Sequence, residues 1–128
     1  MNHLEEGREL SLQFEKRGGL LPVVVQDKES REVIMVGYSN QEAFDLTVET
    51  GLAHFYSSSR RKLWKKGESS GDLLRVEEIR VDCDQDALVY EVTPLGEGVC
   101  HTFGSDGRHR PTCFYRRLED LSLKNLHP

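Results

Sequence analysis

The sequence predicts an α+β fold, a single domain over residues 1–128 dominated by antiparallel β-strands with few short helices. Three observations lead there. A chain of 128 residues is long enough to bury roughly 65 per cent of its unfolded surface around one core, and too short for two. β-branched and aromatic runs recur along it, separated by polar segments. Helical spacing is confined to two short stretches.

Residues 8–17, RELSLQFEKR, set Leu10 and Phe14 four apart on one helical face, and Gly18 and Gly19 end the pattern. LLPVVVQ and EVIMVGY follow as two core strands joined by the loop DKESR. In SNQEAFDLTVETG the period changes. Ser39 with Glu42 is a capping-box pattern, Phe44 and Val48 share a face, and Gly51 falls at a left-handed C-cap, which predicts a helix over 40–50. LAHFYS returns to strand, and the basic SSSRRKLWKKGESSGD, rich in Ser and Gly, reads mostly as loop. In LLRVEEIRVD the alternation of Leu74 and Val76 changes phase at Ile79 and Val81, so a β-bulge is expected near Glu77 and Glu78. ALVYEVT is strand until Pro94, Gly96 and Gly98 break it before VCHTF. GSDGRHRPT is a polar insert, CFYRRL a last short strand, and the tail from Glu119 a fraying or packing end.

Composition narrows the function. With 37% hydrophobic and 30% charged residues the chain reads as soluble and globular, and its formal net charge of −5 argues against wholesale binding of nucleic acid. The charge is uneven: residues 1–50 carry ten acids against five bases, whereas RRKLWKK at 60–66 carries five bases and no acid. No apolar run approaches a membrane span, and MNHLEEGREL has neither a basic lead nor an apolar signal core, so a cytoplasmic protein without membrane partners is expected. Three cysteines, an odd number, disfavour a disulfide framework and leave reduced thiols for a metal.

Two constellations point to metal chemistry. In DCDQD, read as extended chain, Asp82, Asp84 and Asp86 fall on one face with Cys83 on the other. Crowded carboxylates repel, and a hard cation such as Mg²⁺ holds them ionised; an exposed acidic strand edge is the plainer alternative. Cys83, Cys100 and Cys113 are separated by 16 and 12 residues, unlike a structural zinc knuckle. Three protein ligands with one open position is the arrangement in which Zn²⁺ lowers the pKa of water from 15.7 to about 7, against the alternative of three buried thiols. On an extended strand His101 faces away from Cys100, which suits a general base or water-orienting group better than a ligand. His109 is either an extra ligand or a surface group.

The basic segment suits an anion. Ser57, Ser58 and Ser59 beside Arg60 and Arg61, with Lys62, Lys65, Lys66, Gly67 and Gly71 behind, supply hydroxyls, guanidinium forks and open backbone for phosphate, and Trp64 offers a face for a base. A solvated loop with Trp64 in the core is the alternative. No Walker phosphate loop is present.

Taken together, SSSRRKLWKKGESSG, DCDQDALVYEV, GVCHTF and CFYRR, with LLPVVVQD and VIMVGYSNQEAFDLTVETG before them, closely resemble the phosphoribosyl-AMP cyclohydrolases of histidine biosynthesis over roughly residues 10–117. The resemblance implies hydrolytic opening of the adenine ring of phosphoribosyl-AMP between N1 and C6, giving the phosphoribosyl-formimino-aminoimidazole carboxamide ribotide. It implies an intertwined homodimer with sites shared between subunits. One Zn²⁺ per site would take Cys83 from one subunit and Cys100 and Cys113 from the other; Asp82, Asp84 and Asp86 would hold Mg²⁺, and His101 would assist catalysis. Ser57, Ser59, Arg60, Arg61, Trp64, Lys66, Gly67, Ser70 and Gly71 would bind phosphate and ribose.

Two departures stand out. Ser58 occupies a position where the family carries an arginine, for which Arg61 or Lys62 can substitute, and the family keeps its last two cysteines closer than the 12 intervening residues here. Gly104, Gly107 and Pro111 are turn residues, so the insert is expected to bulge outward and return Cys113 to the metal. The missing H-x-E signature argues against a purine deaminase. Rival readings are a non-catalytic zinc module with four protein ligands that binds nucleotide or RNA through RRKLWKK, and a hydrolase of another purine or pterin ring. A pyrophosphohydrolase for the preceding step is expected on a separate protein.

Overall fold

The β-branched runs become strands. In a computed structural model that describes residues 3–128, Leu21–Asp27 (β1) and Val33–Ser39 (β2) pair antiparallel across a turn where Asp27 Oδ1 accepts from the backbone N–H of Glu29 and Ser30. Met1 and Asn2, the start of the segment read as lacking a leader, lie outside the described residues. Leu74–Val81 (β5) and Leu88–Pro94 (β6) form a second antiparallel pair, with the register shift between Val76 and Glu78 where the apolar phase predicts a bulge. The pairs join through β1 and β6, which run parallel, to give a four-stranded sheet in the order β2-β1-β6-β5. Leu21, Val23, Val25, Leu88, Tyr90 and Val92 are fully buried at this junction, so the two central strands build the core.

The central helix, Gln41–Thr50 (α2), ends as predicted on Gly51, in the left-handed region at φ 76°. Its start is one residue later than the capping-box reading. Ser39 belongs to β2, paired with Leu21, and Asn40 is the N-cap, accepting from the Ala43 N–H at 2.8 Å. Asn40→Ala is expected to cost about 1 kcal/mol in urea denaturation without loss of fold. Ala43, Phe44 and Thr47 form the buried face, and Thr47 Oγ1 accepts from the His54 N–H; Val48, one turn on from Phe44, is 60% exposed.

Two further expectations are corrected. Residues 8–13 form no helix. Their backbone is tied across the chain instead: Ser11 N donates to Gln85 Oε1, Gln13 N to Gln85 O, and Gln85 Nε2 to Glu9 O, so only a 3-10 turn at Glu15–Arg17 survives, with a short helix at His3–Glu6 (α1) before it. The basic segment is mostly loop as expected, with one strand inside it: Lys62–Lys65 (β4) pairs with His54–Ser57 (β3), placing Trp64 opposite Phe55 at 4.9 Å between ring centroids. The C-terminal strand begins at Arg116, and the tail is a hairpin, Arg116–Glu119 (β7) with Ser122–Asn125 (β8), rather than a frayed end. Leu118, Leu121 and Leu123 of this hairpin are exposed.

Candidate active site

The β3–β4 hairpin and the loop after it form one wall of a cavity of about 650 Å³. Ser57, Arg60, Trp64, Lys66, Gly67 and Ser70 line it, with Lys62, Lys65 and Asp72 from the same stretch. Of the residues expected to bind substrate, Ser59, Arg61 and Gly71 do not line it; of the two expected to stand in for the family's arginine, Lys62 lines it and Arg61 does not. Trp64 packs on the core through Phe55 and also lines the cavity.

The opposite wall carries the thiols. Val99, Cys100, His101, His109 and Cys113 face the same space. The long insert does bulge out: Phe103 bridges His109, Gly104 N donates to Arg108 O, and Val99 N and Cys100 N both donate to Arg110 O. The chain then runs along the free edge of β2, where Cys113 N donates to Ile34 O and Thr112 Oγ1 to Val33 O. Residues 99–102 are bent rather than extended, so Cys100 and His101 line one cavity instead of facing apart. His109 is partly buried, its Nδ1 2.7 Å from Cys100 O.

Burial pushes the Cys100 thiol up, but hydrogen bonds from the Thr102 hydroxyl, at 3.1 Å, and backbone outweigh it and leave its pKa below the usual thiol value. Desolvation and the neighbouring Cys100 thiol push Cys113 up to about 11. Burial lowers Lys66, against the pull of Asp72 and the two cysteines. Paired thiols beside a cation are a soft donor set that fits Zn²⁺ and does not fit a hard ion.

DCDQD lies elsewhere. It is the turn between β5 and β6, not a strand: Asp82 N donates to Ala87 O, Asp82 Oδ1 accepts from the N–H of Asp86 and Ala87, and Gln85 takes φ 57°. The turn gathers the acids by a route that alternation does not describe. Ligand atoms of Asp82, Cys83 and Asp84 lie within 4.8 Å of one another, so Cys83 shares the acidic side instead of facing away. Asp86 is buried and ion-paired, 2.8 Å from Arg17 and 3.0 Å from Lys16, which also reaches Asp84 at 3.1 Å. The Lys16 ammonium chiefly holds the Asp86 carboxyl well below the usual range, while desolvation and the neighbouring carboxyls raise Asp82. Hard oxygens in this number fit Mg²⁺.

Comparison with known proteins follows this arrangement closely. The family model described as Phosphoribosyl-AMP cyclohydrolase matches residues 35–115, from β2 through both cavity walls to Cys113. The chain belongs to this family. A phosphoribosyl-AMP cyclohydrolase of Archaeoglobus fulgidus is 54% identical over 110 residues, covering 86% of this chain and 94% of that one. Its namesake in Methanoregula boonei is 52% identical over 114 residues, 89% and 86% of the two chains. The histidine biosynthesis bifunctional protein HisIE of Aquifex aeolicus is 48% identical over 119 residues, 93% of this chain but 55% of its own length.

Within this cyclohydrolase chain, sequence reasoning missed Asp72, Lys16 and Arg17. Asp72 is an acid closing a basic loop, a weak signal among the neighbouring serines. Lys16 and Arg17 fall in a stretch whose spacing predicts an amphipathic helix, and nothing local connects them with aspartates 68 and 69 positions on.

Proposed function

We propose that this chain is a zinc-dependent hydrolase that opens the adenine ring of phosphoribosyl-AMP between N1 and C6, as a homodimer in the cytoplasm serving histidine biosynthesis. The observation that carries the reading is one cavity with two thiols and a histidine on one wall and a basic, serine-rich hairpin on the other. Such a cavity suits a substrate with phosphates at its ends and a reacting ring between.

Cys100 and Cys113, with Cys83 from a second copy, would hold the Zn²⁺, which when bound supplies a Lewis acid that ionises water near neutral pH. His101 takes the proton of the attacking water and returns it to N1 as the C6–N1 bond breaks. The water oxygen stays on C6 as a carboxamide and the exocyclic nitrogen is retained, so no ammonia leaves. Arg60, Lys62, Lys65 and Lys66 hold the phosphates, and Trp64 offers its face to the base. Asp82, Asp84 and Asp86 would hold Mg²⁺.

Two observations support the shared site. Cys83 does not line the cavity, and among the described residues no third Cys, His or carboxylate atom groups with Cys100 and Cys113. Cys113 lies beside β2 and Cys83 on the turn from β5 into β6, with β1 between β2 and β6, so at ~4.8 Å per strand they stand roughly 10 Å or more apart, far beyond a Zn–S bond of about 2.3 Å. Val36 and Tyr38 of β2 and the leucines of the β7–β8 hairpin leave apolar surface for a second copy. Among the described residues no helix is long and apolar enough to cross a membrane.

The test is purified protein with zinc and phosphoribosyl-AMP, ring opening followed by ultraviolet absorbance. Turnover no faster than a zinc-stripped control defeats the reading. Arg60→Ala is expected to raise KM roughly 10- to 100-fold, as loss of a charge-assisted phosphate contact does, with zinc content unchanged by metal analysis.

A further inference from the structure

Asp72 is the one deeply buried acid on the cavity wall, 5% exposed, and among the described residues its carboxylate has neither a hydrogen bond nor an ion-pair partner within 4.0 Å. Its oxygens are not sealed off, since among the described residues the fully buried side-chain oxygen without a partner is Tyr90 Oη, so the carboxylate stays open to a group entering the cavity. Its place is built rather than incidental. Asp72 N donates to Ser70 Oγ at 3.2 Å, and Lys66 bonds the Asp72 main-chain carbonyl at 3.4 Å, acting on the carboxylate only through its charge. Two glycines make room: a Cβ on Gly96 would stand 2.2 Å from Asp72 Oδ1, and one on Gly67, at φ 83°, 2.2 Å from the Asp72 carbonyl carbon. The other acid on the wall, Glu68, is exposed and faces the Lys65 N–H at 3.4 Å.

The remaining charged lining is cationic and suits phosphate. Phosphate is only part of what enters. A purine alkylated at N1 carries positive charge over N1, C6 and the exocyclic nitrogen, whose N–H groups need an anionic acceptor once desolvated. Resting on the activity proposed above, we infer that Asp72 is the substrate-binding residue that receives the cationic N1–C6–N edge of the alkylated ring and so selects it over an ordinary neutral adenine nucleotide.

The probes are AMP and N1-methyl-AMP, titrated by calorimetry into the zinc-loaded protein. Wild type is expected to bind N1-methyl-AMP at least about tenfold more tightly than AMP, and Asp72→Asn, folded by thermal melting, to lose that preference while keeping its zinc. Glu68→Gln should keep the preference, and Asp72→Ser is the second variant that reads its loss if Asp72→Asn does not fold. No preference in wild type, an unchanged one in folded Asp72→Asn, or its loss in Glu68→Gln overturns the inference. Binding and turnover separate the two proposals: a chain that prefers the cation but opens no ring defeats the activity, whereas one that opens the ring without the preference defeats Asp72.

Discussion

A Cys113→Ser chain is expected to fold, to lose its zinc, and to open the ring at least about a thousandfold more slowly than wild type. The thiol contributes to the site and not to the core. Cys113 is exposed at the cavity wall, and the segment is held by its backbone N–H on Ile34 O and by the Thr112 hydroxyl on Val33 O, none of which a serine disturbs. A serine hydroxyl is a hard, weakly acidic donor where a soft anion is needed, so two ligands remain of the three proposed. Because the metal's part is to bring water's pKa down from 15.7 to about 7, its loss removes most of the nucleophile at neutral pH. The checks are zinc by elemental analysis, melting temperature, and single-turnover absorbance. Full zinc with full activity in this variant would sink the proposed role of Cys113, and with it the account of the insert as a detour that returns to the metal.

Features fixed by near neighbours were legible in the sequence, and features fixed at long range were not. The helix from Gln41, its glycine cap and the bulge at Glu77 and Glu78 depend on residues within a turn or two, and local pattern recovers them. The failure at residues 8–13 has the opposite cause. Leu10 and Phe14 satisfy helical spacing, but Gln85, more than 70 positions away, offers the backbone hydrogen bonds that a helix would have supplied, and tertiary bonding wins over weak propensity.

The candidate site divides along the same line. The residue types were readable because soft thiols, clustered acids and a basic serine-rich loop announce their chemistry by composition. Their geometry was not, since period-2 alternation holds only for extended chain. Gln85 at φ 57° turns DCDQD back on itself, and the bend at 99–102 brings His101 round to the side of Cys100. Asp72 stayed hidden for a further reason. What marks it out is what surrounds it, two glycines and a carboxylate with no bonded partner among the described residues, and neither is visible until the loop folds back.

Mixing two dead variants should restore about a quarter of wild-type activity. Cys83→Ser alone removes one proposed ligand from every site, and Cys113→Ser removes another, so each pure homodimer is inactive. In a mixed dimer built as proposed, one site draws Cys83 from the first variant and Cys113 from the second and carries both lesions. The other draws the intact Cys83 and the intact Cys113 and is whole. Random exchange makes half the dimers mixed, each with one good site of two, and the product is about one quarter. A site completed within one chain gives no recovery under any mixing ratio. Subunits are exchanged by brief partial denaturation and refolding, and activity is compared with each variant treated alone. The sheet's geometry favours recovery: Cys83 lies on the turn from β5 into β6 and Cys113 beside β2, and no flexing of a turn that Asp82 clamps to Asp86 and Ala87 closes the width of the sheet between them.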